Sequence, residues 1–90
     1  MGVIQIPTPL RKYTGNQNMC RYEGETVAKV IEGLVYEYPD MEPQLFAKEG
    51  KLHVYLHIFI GGQDIMMMQG LDTPVYSETV IKLIPAIAGG

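Results

Sequence analysis

The clearest hydrophobic pattern along the chain predicts a single amphipathic helix in the first half of the sequence. Apolar residues recur at steps of three and four from Val27 to Tyr38, with charged residues between them. This spacing is typical of a helix that packs one face against a sheet. Thr26 is the predicted N-cap, and Pro39 is predicted to end the helix. Gly33 costs helix stability unless the helix approaches the sheet closely at that point.

Alternation of apolar and polar residues predicts strands on both sides of this helix. Before the helix, residues 1–6 and 18–22 are predicted to pair as an antiparallel hairpin, with a turn at residues 14–16. After the helix, residues 41–46 are predicted to form a short extra turn and residues 64–65 a short strand.

The longest predicted strand covers residues 52–60, and the last predicted strand covers residues 80–84. In the longer one, alternate side chains point to opposite faces of the sheet. One face carries Val54, Leu56, Ile58 and Ile60, and the other carries His53, Tyr55, His57 and Phe59.

The order of these elements is strand, strand, helix, strand, short strand, strand, which predicts one α+β domain. One helix covers only one face of a sheet of about five strands, so the other face is predicted to meet solvent or a partner. No internal repeat or linker divides the chain. We predict a domain over residues 1–84, followed by a flexible tail over residues 85–90 that ends in Gly89-Gly90.

Size and charge narrow the possible functions. A chain of 90 residues can build one core but has too few residues to form a deep substrate cleft and the shell that supports it. This weighs against an enzyme. The formal net charge is −3, and the seven Lys and Arg residues are scattered along the chain. Nucleic-acid binding is not expected, because a phosphate backbone requires a basic stripe.

The sequence gives no indication of secretion or membrane insertion. Its N-terminus lacks a basic start followed by an apolar run, so no signal peptide is expected. The longest apolar stretch, residues 54–60, is interrupted by His57 and is too short to cross a bilayer. Cys20 is the only cysteine, so no internal disulfide can form. These features predict a soluble cytoplasmic protein.

The two histidines are the first candidates for a metal site. His53 and His57 fall on the same face of the predicted strand but too far apart to share a metal ion easily. No third ligand is evident, since nothing in the sequence pattern places Asp64 or Glu49 beside the two histidines. We interpret both histidines as surface residues and predict no metal site.

The other candidates for chemistry are equally weak. No base or helix N-terminus is apparent to activate Cys20, which we interpret as a small buried hydrophobe. The methionines at residues 66–68 are interpreted as adaptable packing beside a short strand. The glycines at residues 61–62 lack the lysine and helix of a phosphate loop. With no nucleophile–base pair, the chain is not expected to be an enzyme or to hold a cofactor.

Several short motifs accompany this order of elements. They are Ile6-Pro7-Thr8, Leu10-Arg11, Thr14-Gly15, Gly70-Leu71 with Thr73, and Ile84-Pro85-Ala86-Ile87-Ala88-Gly89-Gly90. With them, the chain resembles the β-grasp sulfur carriers, the family of the molybdopterin synthase small subunit (MoaD) and the thiamine sulfur carrier (ThiS). The resemblance covers essentially the whole chain and is closest to the carriers that supply sulfide for cysteine synthesis. It implies a ubiquitin-like β-grasp fold, with a mixed sheet packed on one main helix.

The resemblance implies that Gly90 is the functional residue. A separate ATP-using adenylating enzyme of the ubiquitin-activating type would join AMP to the Gly90 carboxylate, and sulfide would displace AMP to leave a C-terminal thiocarboxylate. Gly89 and Gly90 lack a Cβ, so the tail could thread a narrow channel. Pro85 would stiffen the exit from the last strand. The remaining tail-threading residues are Ala86, Ile87 and Ala88.

The resemblance also implies partners. The sulfide acceptor would be a pyridoxal-phosphate-dependent enzyme of the sulfhydrylase type that makes cysteine or a related amino acid such as homocysteine. A metal-dependent peptidase would then release the amino acid from Gly90. Two alternatives stay open: sulfur delivery to molybdopterin or thiamine precursors, and conjugation of Gly90 to lysines as a ubiquitin-like modifier. All of them begin with an adenylated tail, so the sequence does not separate them.

The domain must supply most of the docking surface, because residues 85–90 bury little area. We predict an aromatic-centred docking patch on the sheet face that the helix leaves open. Its predicted members are Tyr55, Phe59, Val80, Lys82 and Ile84.

Overall fold

The computed structural model describes residues 1–86, which form a mixed five-stranded sheet and one main helix. The strands are β1 (Gly2–Gln5), β2 (Met19–Tyr22), β3 (Leu56–Ile60), β4 (Gln63–Asp64) and β5 (Val80–Pro85). The α-helices are α1 (Val27–Glu37) and α2 (Glu42–Leu45). Short 3₁₀ helices cover Thr8–Tyr13, Pro39–Met41, Ile65–Met67 and Gly70–Asp72. The predicted α+β class and the predicted order of strands and helix are confirmed.

The last strand in the sequence lies at the centre of the sheet. The strand order is β2-β1-β5-β3-β4. Strand β5 runs parallel to β1 and antiparallel to β3, while the other neighbouring strands are antiparallel. Because β5 is paired on both sides, the strand that leads towards the C-terminus is held more firmly than an edge strand.

Helix α1 covers one face of the sheet, as its apolar spacing predicts. Its buried residues join those of the strands in one core, which includes Val27, Val30, Ile31, Leu34, Ile4, Ile58, Ile81 and Leu83. The Thr26 side chain accepts a hydrogen bond from the N–H of Lys29, which confirms the predicted N-cap. A Cβ built on Gly33 would lie 2.9 Å from the Cβ of Tyr22. Gly33 therefore permits the predicted close approach of helix and sheet.

The longest predicted strand is shorter in the structure and begins only at Leu56. Leu52 forms an isolated bridge outside the sheet. The N–H of Leu56 donates a 3.0 Å hydrogen bond to the carbonyl of His53, which closes a turn around Val54. Val54 is consequently 96% exposed, so its predicted position on one strand face with Leu56, Ile58 and Ile60 is wrong. The alternating pattern conceals the turn, because strand-like residues can occupy a turn when tertiary contacts favour it.

The N-terminal hairpin is present with shorter strands than predicted. Ile4 of β1 lies opposite Cys20 of β2 in an antiparallel pair. The connection contains the 3₁₀ helix Thr8–Tyr13, which the two prolines near its start did not reveal. Gly15 and Asn16 both have positive φ, 60° and 66°, and form the predicted turn.

Strand β5 is longer than predicted. It does not end at Ile84 but continues through Pro85, which lies opposite Leu56 of β3. Pro85 is therefore part of the sheet and not of a free tail. The predicted short turn over residues 41–46 is confirmed by α2, and the predicted short strand corresponds to β4, one residue earlier.

Candidate functional site

The candidate site centres on the end of β5, because the residues that follow include Gly90. Ala86 donates its backbone N–H to the carbonyl oxygen of Tyr55 at 2.7 Å, and Pro85 pairs with Leu56. These two predicted tail residues are thus attached to the segment that leads into β3. The other predicted tail residues, Ile87, Ala88, Gly89 and Gly90, lie outside the described residues.

Within residues 1–86, no helix covers the face of the sheet opposite α1. We call this the open sheet face and define it by the side chains that alternate with the buried ones along four strands. They are Val3, Gln5, Met19, Arg21, His57, Phe59, Val80, Lys82 and Ile84.

Most of the predicted docking patch lies on the open sheet face. Phe59 of β3 is half-buried and lies directly opposite Lys82 of β5. Val80 and Ile84 flank Lys82 along β5 and are 37% and 42% exposed. The structure therefore brings an aromatic ring, a lysine and two aliphatic side chains together along β5, and Ile84 is the member nearest its C-terminal end.

Tyr55 differs from the rest of the predicted patch, because it lies in the turn before β3. Its ring stacks on that of His53, with 4.7 Å between ring centroids and 12° between ring planes. His53 Nε2 is 2.9 Å from the carbonyl oxygen of Pro43. His53 and His57 therefore do not share one strand face as predicted, because the turn separates them.

His57 is paired with Asp64 of β4. Its Nδ1 lies 3.0 Å from Oδ2 of Asp64, and Oδ1 of Asp64 accepts a 2.8 Å hydrogen bond from the N–H of Met66. The bond from Met66, followed by that from His57, holds the pKa of Asp64 below its usual value. Both carboxylate oxygens are thus engaged. No cluster of three His, Cys, Asp or Glu side chains suited to a metal ion occurs within residues 1–86.

Cys20 lies on the buried face of β2 and is a free thiol. Burial raises the pKa of this thiol. Burial and a hydrogen bond to the Glu37 carboxylate also raise the pKa of the neighbouring Tyr22 hydroxyl. A buried thiol that stays protonated is a poor nucleophile, which agrees with the interpretation of Cys20 as a small buried hydrophobe.

The methionine run is more exposed than predicted. Met66 and Met67 are each 76% exposed and Met68 is 40% exposed. Ile65 is the buried residue of the 3₁₀ helix Ile65–Met67. The interpretation of the run as adaptable packing beside a short strand is wrong for Met66 and Met67, because one short turn directs only one of its side chains inward.

Two further features bear on binding. Gly61 and Gly62 form the turn between β3 and β4 with φ of 60° and 80°, and no helix begins there. A phosphate loop would need such a helix. Among the helices of residues 1–86, none is both long and apolar enough to cross a bilayer.

Sequence reasoning missed a groove of about 410 Å³ beside β5. Its polar lining includes Gln5, Arg11, Asn18 and Lys82. These residues come from β1, the hairpin connection and β5, so the local sequence pattern of any one segment does not show that they are neighbours. In the sequence, Arg11 is visible only as part of a hairpin motif.

Comparisons with known proteins agree with this architecture. The family model described as the ThiS family matches residues 4–90. The sulfur carrier protein CysO of Mycobacterium tuberculosis is 33% identical over 89 residues, which cover 97% of this chain and 96% of CysO. A chain of the BexX/CysO complex of Amycolatopsis orientalis has a TM-score of 0.90 at 28% identity, with 100% of both chains covered. Small archaeal modifier protein 1 of Methanosarcina acetivorans has a TM-score of 0.87 at 25% identity, with 99% of this chain and 95% of that one covered.

Proposed function

Because this chain belongs to the ThiS family, we propose that it is a sulfur carrier protein that holds sulfide as a thiocarboxylate on Gly90. The observation that carries the proposal is the similarity to CysO of M. tuberculosis, 33% identity over 97% of the chain. The family match extends through Gly89 and Gly90. In this role the chain is a protein substrate on which enzymes act.

The position of β5 supports this role. The strand that leads to the C-terminal residues is paired on both sides, with β1 and with β3. The point at which the C-terminal segment leaves the domain is therefore fixed relative to any surface on which a partner docks. The open sheet face reaches that point at Ile84 and offers Phe59 and Lys82 for docking further along the same strands. Aromatic side chains at the centre of an interface often carry much of the binding energy.

The proposed chemistry takes place at the Gly90 carboxylate. A carboxylate does not exchange oxygen for sulfur unaided, because oxide is a poor leaving group. In the proposed first step, the carboxylate attacks the α-phosphorus of ATP and pyrophosphate leaves. Hydrosulfide then attacks the acyl carbon and AMP leaves, so that sulfur replaces one carboxylate oxygen. A separate adenylating enzyme of the ubiquitin-activating type binds the ATP, and this chain itself needs no cofactor.

The proposed partners follow from this chemistry. The complex of BexX with CysO supports the idea that such a carrier docks on another protein. For this chain, we propose the adenylating enzyme first and then a pyridoxal-phosphate-dependent sulfhydrylase that makes cysteine or homocysteine. A metal-dependent peptidase would release the amino acid from Gly90. Delivery to molybdopterin or thiamine precursors is the alternative within the same chemistry.

A second candidate function is that of a ubiquitin-like modifier conjugated to lysines through Gly90. The similarity to small archaeal modifier protein 1, with a TM-score of 0.87 at 25% identity, favours it. Both functions start from the same adenylate and diverge in the nucleophile that attacks it. A carrier accepts sulfide, whereas a modifier accepts the amine of a lysine side chain.

The decisive experiment is the intact mass of the chain isolated from its native cells under non-oxidising conditions. The carrier predicts a mass gain equal to the exchange of one oxygen for sulfur, localised to Gly90 by fragmentation. The modifier predicts high-mass conjugates with an isopeptide bond at Gly90. An unmodified carboxylate that also stays unchanged with an adenylating enzyme of this family, ATP and sulfide would contradict the carrier.

Two variants control this experiment. Cys20→Ala removes the only thiol, so a sulfur gain that persists in it cannot be a persulfide. A chain that ends at Gly89 lacks the acceptor carboxylate at its native position and is expected to stay unmodified. A gain of a whole sulfur atom without loss of oxygen, which disappears with Cys20→Ala, would place the sulfur on the thiol and contradict the proposal.

A further inference from the structure

The groove beside β5 combines cationic and amide side chains next to the C-terminal strand. Its lining includes Gln5, Arg11, Asn18, Met19, Lys82 and Ile84, and no acidic residue among residues 1–86 lines it. Ile84 and Lys82 also belong to the open sheet face, so the groove continues that surface. Ile84 precedes the anchored residue Ala86 by two positions. A ligand in the groove would therefore lie next to the segment that leads to Gly90.

The positive character of this groove contrasts with the charge of the whole chain, which is −3. The helices on the other side of the sheet carry several carboxylates, namely Glu32, Glu37, Asp40 and Glu42. The ion pairs found within residues 1–86 are Lys29–Glu32 and His57–Asp64. Neither Arg11 nor Lys82 is neutralised by a carboxylate in the part of the chain that the structure describes.

Arg11 is oriented by the backbone. Its Nε donates a 2.9 Å hydrogen bond to the carbonyl oxygen of Ile6. This bond fixes one edge of the guanidinium and leaves its terminal nitrogens for a ligand. A guanidinium held in this way matches the planar geometry of a carboxylate, with which it can form two parallel hydrogen bonds.

We propose that this groove receives an acidic side chain, Asp or Glu, from the surface of the enzyme that activates Gly90. The proposal rests on the proposed function, since it identifies the chemistry of that partner's surface. Arg11 and Lys82 neutralise the carboxylate, and Gln5 and Asn18 are available to donate hydrogen bonds from their amides. The apolar side chains of the open sheet face bind beside it. Charge complementarity of this kind speeds association and fixes the orientation in which a partner binds.

The test is an NMR titration of the full ¹⁵N-labelled chain with a short capped peptide rich in Asp and Glu. The same titration with a matched Asn and Gln peptide and with inorganic phosphate separates a protein carboxylate from other ligands. We expect saturable shifts confined to the amides around Gln5, Arg11, Asn18 and Lys82 with the acidic peptide. Lys82→Glu should weaken this binding about fivefold or more, because it replaces an attraction by a repulsion.

Lys51→Glu is the matched control, because Lys51 is exposed and lies outside the groove. It makes the same change in net charge and should leave the affinity within about twofold. Arg11→Gln is a second variant and should also weaken binding of the acidic peptide. It removes the hydrogen bond from Arg11 to Ile6 as well, so Lys82→Glu, which leaves that bond intact, is the decisive variant. Shifts spread over the whole surface, equal binding of phosphate, or equal losses in Lys51→Glu and Lys82→Glu would each overturn the proposal. Peptide binding does not depend on sulfur chemistry. A negative result in this titration would therefore overturn the proposal for the groove without contradicting the proposed thiocarboxylate on Gly90.

Discussion

The backbone N–H of Ala86 donates a 2.7 Å hydrogen bond to the carbonyl oxygen of Tyr55. With Pro85 paired to Leu56, this bond extends the contact between β5 and the start of β3 beyond the last strand residue. The resemblance to sulfur carriers implies that residues 85–90 thread a partner's channel. A partner that takes Pro85 or Ala86 into such a channel must first break this pairing.

Removal of the Ala86 donor should destabilise the domain modestly. Ala86→Pro deletes the N–H, and Pro85 is already in an extended strand conformation that a following proline tolerates. We expect the free energy of unfolding to fall by about 1 kcal/mol, the usual net contribution of one hydrogen bond. Urea denaturation at constant m-value measures the change. Ala86→Ser retains the N–H and is the control, and equal midpoints for the two variants would show that the bond contributes nothing.

Phe59 is predicted to matter for docking more than for folding. It is half-buried opposite Lys82 on the open sheet face. We expect Phe59→Ala to lower kcat/KM for adenylation of Gly90 by about tenfold or more, as is typical when an interface aromatic is truncated, while the chain stays folded. Tyr36→Ala is the control, since Tyr36 is 89% exposed on α1, away from that face. Unchanged adenylation kinetics in Phe59→Ala would remove Phe59 from the docking surface.

Gly33→Ala should destabilise the protein although alanine favours helices. The new Cβ would lie 2.9 Å from both Cβ and Cγ of Tyr22, and the Tyr22 Cβ cannot move without shifting β2 or α1. Overpacking of this kind costs about 1–3 kcal/mol, whereas the gain in helix propensity is at most about 1 kcal/mol. We expect a net loss, measured as a lower Tm.

The control for this helix position is Glu32→Ala. Its ion pair with Lys29 is 3.8 Å long and exposed, so its removal should change the Tm little. A Tm for Gly33→Ala equal to or above that of the unaltered chain would show that α1 and β2 can separate without cost.

The contribution of Asp64 to stability should depend on pH. Its pKa is lowered in the folded state, first by the N–H of Met66 and then by His57. A group with a lowered folded pKa stabilises above its unfolded pKa, and this contribution disappears as the pH falls through the folded pKa. The difference in Tm between the unaltered chain and Asp64→Asn should therefore be largest near neutral pH and vanish in acid.

A second background separates the two causes of this shift. The difference in Tm should become smaller but persist when both chains also carry His57→Gln, because the Met66 N–H remains. A difference that disappears completely in that background would mean that the pair with His57, and not the backbone bond, lowers the pKa of Asp64.

Local patterns determined much of the fold. The apolar stripe from Val27 to Leu34, the cap at Thr26 and the alternation in β3 and β5 each act over a few residues, so they can be recognised without knowing the tertiary structure. Gly33 was recognisable as a close contact because glycine within a helix is otherwise unfavourable. The motif that ends in Gly89-Gly90 indicated the family and the residue on which the proposed function depends.

The tertiary structure decided which segments keep their predicted conformation and which distant residues meet. Val54 fits a strand pattern but lies in a turn, because the hydrogen bond from Leu56 to His53 closes the chain there. The pairing of Phe59 with Lys82 depends on the register between β3 and β5, which no single segment specifies. Arg11 and Lys82 line one groove only because β1 and β5 run parallel, although they are far apart in sequence. Sequence patterns report local preferences, whereas the neighbours of a side chain on the sheet are set by how whole strands pair.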